Sequence, residues 1–124
     1  MRGYLDAWVG QGIEAALEYL DPRVQVDWSR SDGPFSGTYT GHDGFRTLFG
    51  GYFEVFEEWW MEPHEFIAAG PHVVVPNTSH FRARHGAEVI ARGTLLFTVS
   101  EESIVSITLF QERAEALEAV GLPE

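Results

Sequence analysis

Apolar positions along the chain follow two alternating periods. Between residues 45 and 60 (FRTLFGGYFEVFEEWW) they fall at 45, 48, 49, 52, 53, 56, 59 and 60. That is the i, i+3, i+4, i+7 recurrence of a helix with one buried face. Arg46, Thr47, Glu54, Glu57 and Glu58 take the opposite side. Thr40 is placed to cap the start of this helix, with Asp43 three residues on as a short-armed capping box. Gly50 and Gly51 sit mid-helix, where each costs roughly 1 kcal/mol against Ala. Most of the buried positions are aromatic, and each ring can cover ~150–250 Å². Such a helix needs a broad concave partner surface, and it is a candidate wall for an apolar ligand.

Before it, Tyr4 to Val9 reads as a short helix, and Ile13, Ala16, Leu17 and Leu20 as a second, stopped by Asp21-Pro22. The period then drops to two: Val24, Val26 and Trp28 alternate with Gln25, Asp27 and Ser29, a strand with one apolar face. Ser31 to Gly41 is a turn-rich loop, and Pro63 closes the helical region. After a possible strand at Glu65 to Ala69 the chain turns to sheet. Val73 to Arg84 and Glu88 to Ser100 flank a tight His85-Gly86 turn, and a further strand runs from Ile104 to Gln111. A short helix from Arg113 to Val120 ends at Gly121. This order predicts one α+β domain over residues 1–124, with helices on one face of a curved antiparallel sheet. The face they leave bare carries Val74 and Leu96, which predicts a homodimer through the sheet.

Composition narrows the partners. A net charge of −11 argues against nucleic acid and anionic membranes. Aromatics at 14% suit a domain that lines a cavity as well as filling a core. With no Cys there is neither disulfide nor thiolate site, and no His/carboxylate spacing reads as a metal centre; no cofactor is expected. No long apolar run or signal-like start is present, which predicts a soluble, cytoplasmic protein.

The segments YLDPRVQVDWSRSDGPFSGTYTGHDGFRTLF and ERAEALEAVGL, in this order of elements, resemble the SnoaL-like branch of the nuclear transport factor 2-like superfamily. The resemblance implies a cone, a curved sheet wrapped around the helices with a pocket inside, usually in a dimer. It spans isomerases, cyclases, hydrolases and non-enzymatic modules, so it does not choose a function. Carried over residue by residue, the ketosteroid isomerase oxyanion donor falls on Tyr4 and its supporting tyrosine on Phe49. The general-base Asp falls on Trp28, or on Asp27 after a one-residue slip. The second acid falls on Leu95, where the cyclases also keep an acid. These replacements imply that steroid isomerisation by that mechanism is lost.

From the residues themselves, the alternation of Val24, Val26 and Trp28 points Trp28 inward and Asp27 outward, unless register slips and makes Asp27 a catalytic carboxylate. His80, Arg82 and Arg84 share one strand face. Paired around a two-residue His85-Gly86 turn, they oppose Ala91, Val89 and Ala87 and lie beside Leu95. That would make His80 a general base and Arg82 an anchor for a carboxylate or enolate. Phe49, Phe53 and Trp28 would cover the ligand's body, with Tyr4 and Gln111 as further polar contacts. Two readings follow: a pocket for a small apolar oxygenated molecule, with or without catalysis, or a non-catalytic dimeric module whose cavity is filled by Trp28, Phe49 and Trp60.

Overall fold

The computed structural model describes residues 3–4, 12–31 and 35–123. Gly3 and Tyr4 have helical backbone; the rest of the first expected helix lies outside the described residues. The elements are α1 (Ile13–Leu17), β1 (Leu20–Asp27), β2 (Thr38–Thr40), α2 (Gly41–Val55), β3 (Phe56–Pro63), β4 (Ile67–Ala69), β5 (His72–Ala83), β6 (Glu88–Ser100), β7 (Ser103–Phe110) and α3 (Arg113–Ala119). The seven strands make one sheet in the order β2-β1-β7-β6-β5-β3, with β4 on the far end of β5. The class is α+β as expected. The sheet is mixed rather than antiparallel, because β1 runs parallel to β7. Bulges at Leu20/Gln25, Phe56/Glu58 and Thr98/Val99 interrupt the ladders, and such irregularities bend a sheet and increase its twist.

One core fills the cone between α2 and the inner sheet face, around Phe45, Leu48, Val24, Val26, Phe97 and Ile107. A second lies outside, where α3 seats Ala116 and Leu117 on Val74, Leu96 and Phe110. Val74 and Leu96, expected to be a bare face, are therefore covered by the chain's own last helix. Gly121, with φ 78°, ends that helix, and Leu122 N–H returns to the Leu117 carbonyl at 2.9 Å. No helix among the described residues is long and apolar enough to cross a membrane.

The long helix is shorter than its apolar spacing predicts. It ends at Val55, and Phe56 is already extended (φ −112°, ψ 136°). From Trp59 onward the period is two: Trp59 and Met61 turn inward, while Glu58, Trp60 and Glu62 turn outward. The aromatic run satisfied both periods, and pairing along β5 decided for strand. Arg84, considered for the ligand, instead donates to the carbonyls of Phe53 (3.1 Å) and Glu54 (3.4 Å) at the end of α2. Thr40 does not cap α2 through its side chain; its hydroxyl bonds Gln25 on β1. Leu20, Asp21 and Pro22 belong to β1, not to the helix before it.

Two glycines of α2 test this packing. A Cβ at Gly50 meets nothing within 4 Å, whereas one at Gly44 would lie 3.0 Å from the Tyr39 backbone carbonyl carbon. Gly50→Ala is expected to stabilise by about 0.5–1 kcal/mol, and Gly44→Ala to destabilise. Urea midpoints check this; a lower midpoint for G50A, or equal midpoints for the two variants, contradicts the placement of α2 against β2.

Candidate functional site

The loop between β5 and β6 sets the geometry. Ala83 N–H bonds the Ala87 carbonyl at 2.8 Å, and Gly86, at φ 95°, takes the left-handed position of a three-residue loop. The register is therefore one residue away from that of a two-residue turn. His80 pairs with Ile90 and Arg82 with Glu88, while Leu95 pairs with Val75. In an antiparallel pair, opposed residues share a face, and one residue of slip exchanges the faces. Leu95 accordingly keeps company with Asn77, Ser79 and Phe81. His80 and Arg82 lie on the outside.

The outer face carries rows that cross three strands. Trp60, His80 and Ile90 form one, and Glu58, Arg82 and Glu88 the next. The Trp60 and His80 rings stack at 3.9 Å and 7°, and His80 Nε2 lies 3.5 Å from Glu62. Arg82 pairs with Glu58 and reaches Glu57 at 3.9 Å. Glu58, Trp60, His80, Arg82, Glu88 and Ile90 line an outer cleft of about 200 Å³, to which Phe81 and Val89 also contribute. Trp60, which the cavity-filling reading placed inside, is 46% exposed here.

The inner face holds two connected chambers. The wider, about 330 Å³, is walled by Trp28, Tyr52, Phe56, Trp59 and Phe81, with Ala91, Arg92 and Gly93 at the rim. The narrower, about 40 Å³, is closed by Tyr4, Phe49, Met61, Leu95 and Ile107. Both touch Trp28, Trp59, Asn77, Ser79 and Leu109. The aromatic frame is locked internally. Trp28 Nε1 donates to the Tyr52 hydroxyl at 3.1 Å, and Trp28 meets Phe49 edge-on at 5.4 Å. Trp59 lies 4.9 Å from Tyr52 and 5.1 Å from Phe81. Edge-on and offset ring pairs of this kind contribute about 0.5–1.5 kcal/mol each beyond area burial.

Apart from Arg92 at the rim, the polar side chains of the described lining are neutral. Asn77 and Ser79, two residues apart on β5, face the same way and are buried. Asn77 Nδ2 donates to the Val75 carbonyl at 3.0 Å, and an amide side chain carries a further N–H and two acceptor lone pairs beyond that bond. Burial pushes the Tyr4 phenol well above its ordinary pKa, so it stays un-ionised. Among the described lining residues there is neither carboxylate nor imidazole.

Of the residues expected at the site, Tyr4, Trp28, Phe49, Leu95 and Gln111 line the cone. Gln111 also donates to the Arg30 carbonyl. Phe53 stands behind, 6.1 Å from the Trp59 ring, rather than in the lining. Asp27 faces away, as the alternation of Val24, Val26 and Trp28 requires. Its carboxylate accepts from Ser29 N–H (3.0 Å) and Ser29 Oγ (2.6 Å) and pairs with Arg30 at 3.3 Å. Sequence reasoning missed Tyr52, Trp59, Asn77, Ser79 and Phe81. The signal for the last three was the alternation of Asn77, Ser79 and Phe81 with Thr78, His80 and Arg82.

Partial burial works against ionisation of Asp27, but the Ser29 hydrogen bonds and Arg30 outweigh it and hold its pKa below the usual carboxylate value. The folded value being the lower one, its contribution is complete above the unfolded pKa of about 3.9 and is lost as pH falls through the folded value. Asp27→Asn is therefore expected to melt below the wild type at neutral pH, with the gap closing in acid. Thermal melts between neutrality and roughly pH 2 measure it; a gap that does not change with pH contradicts the assignment.

The fold has close parallels. An NTF2-like protein from Burkholderia pseudomallei is 21% identical, with a TM-score of 0.78 over 97% of this chain and 93% of its own. TerC, co-crystallised with polyporic acid, is 19% identical, with a TM-score of 0.78 over 96% and 92%. A Mycobacterium tuberculosis protein in complex with estradiol-17β-hemisuccinate is 10% identical, with a TM-score of 0.77 over 90% and 89%. Identities this low establish the shared fold alone. No curated protein matches the sequence. The family model of the SnoaL-like domain, however, matches residues 1–107. The chain belongs to the SnoaL-like domain family.

Proposed function

We propose that the cone binds a small, flat, largely apolar oxygenated molecule, held by stacking and by neutral hydrogen bonds. The observation that carries this reading is the open wall on which Trp28 and Trp59 flank Asn77 and Ser79. A chamber of about 330 Å³ lies within the roughly 300–1,000 Å³ of small-molecule sites, which are apolar and aromatic with a few placed polar groups. Trp28 and Phe49 line the space without filling it, and Trp60 lies outside it, so a cavity closed by its own side chains is the weaker alternative. The ligands named for TerC and for the mycobacterial protein contain ring systems, which supports a ring-containing occupant here; both also carry acidic groups, so they bear on the ligand's body and not on its charge. The described lining groups suit recognition rather than proton transfer. Binding, with no general base among the described lining residues, is the role this geometry favours.

The test is calorimetric titration with 2-naphthol as the probe. Ser79→Leu, which places a bulky side chain where the two chambers meet, is expected to weaken binding by about tenfold or more, ~1.4 kcal/mol. His80→Gln and Arg82→Ala, on the outer face, are expected to bind as the wild type does. Their stabilities should stay within about 1 kcal/mol, because the Arg82–Glu58 pair is half-exposed. Full affinity in S79L, or a loss confined to R82A, ends the proposal.

A further inference from the structure

We infer that the cone takes its ligand uncharged, as a neutral phenol or ketone, and refuses the matching carboxylate. This rests on the binding role proposed above and deepens it. The sheet sorts charge by face. On the wall strands β3, β5 and β6, the inward set reads Trp59, Met61, Asn77, Ser79, Phe81 and Leu95, none of them ionised. Glu58, Glu62, His80, Arg82 and Glu88 all fall in the outward set.

Three of the four cations described near the cone are committed elsewhere. Arg82 is held by Glu58 and Glu57, and Arg84 by the carbonyls that end α2. Arg30 is held by Asp27 and lies 4.6 Å over the Phe110 ring. Arg92 stands at the rim, exposed, and its strand partner is Thr78 of the outer face. A carboxylate entering past Trp28 and Trp59 would shed its hydration and, among the described inward side chains, meet only neutral dipoles; the one described cation of the lining, Arg92, stands in the solvated rim. The field of a chain of net charge −11 opposes its approach as well. A phenol or ketone oxygen meets neither obstacle. Asn and Ser side chains each donate and accept, so they take either oxygen.

Three probes of one shape separate charge from fit: 2-naphthol, 2-acetylnaphthalene and 2-naphthoate, titrated at neutral pH into the wild type and Arg92→Gln. The first two are expected to bind within about threefold of each other, and naphthoate at least about tenfold more weakly, in both proteins. Naphthoate binding as tightly as naphthol overturns the charge rule while leaving the binding role standing. A tight naphthoate affinity that collapses in R92Q overturns it too, and assigns anion capture to the rim. If none of the three binds, the binding role itself falls and the charge rule falls with it.

Discussion

The bond from Ala83 to Ala87 across a three-residue loop is the constraint on which the arrangement of the site depends. It commits β5 and β6 to a register in which odd-numbered residues look into the cone and even-numbered ones look out. A strand has a period of two, so no side chain can compensate for a slip of one residue. With a loop one residue shorter, Leu95 would share its face with His80 and Arg82, and the cone would hold a base and a cation. With the loop as built, it holds an amide and a hydroxyl.

The two faces then carry different physics. Inside, Trp28, Phe49, Tyr52, Trp59 and Phe81 support one another through ring contacts and one hydrogen bond, Trp28 to Tyr52. This frame is held by its own contacts and leaves Asn77 and Ser79 as the wall's polar points. Outside, the half-exposed charges of Glu58 and Arg82 interact through high-dielectric surroundings, where a pair contributes about 0–1 kcal/mol. Arg84 bridges the two layers by closing the end of α2 just where the chain turns into β3.

Much of this was legible in the sequence, for reasons that also mark where legibility ends. Val24, Val26 and Trp28 alternate cleanly, so the direction of Trp28 and of Asp27 followed from period alone. The order of elements and the SnoaL-like segments gave the cone. The end of α2 was not legible, because Phe56, Trp59 and Trp60 continue the helical stripe, while the alternation of Trp59 and Met61 with Glu58, Trp60 and Glu62 is that of a strand. The decision came from β5, a partner distant in sequence. The hairpin register was ambiguous for a narrower reason: Gly86 serves a two-residue and a three-residue loop alike. The choice between them exchanged His80 and Arg82 for Asn77 and Ser79. The fate of Val74 and Leu96 depended on α3 folding back over the sheet, which apolar spacing within α3 does not announce.

The sorting of β5 by face can be read out directly, since the chain has no cysteine of its own. Single cysteines at Ser79, His80, Phe81 and Arg82 are labelled with a bulky maleimide in the presence and absence of 2-naphthol. The account requires that the probe slow labelling at positions 79 and 81 and leave positions 80 and 82 unchanged. Protection at 80 and 82, with 79 and 81 indifferent, would contradict it.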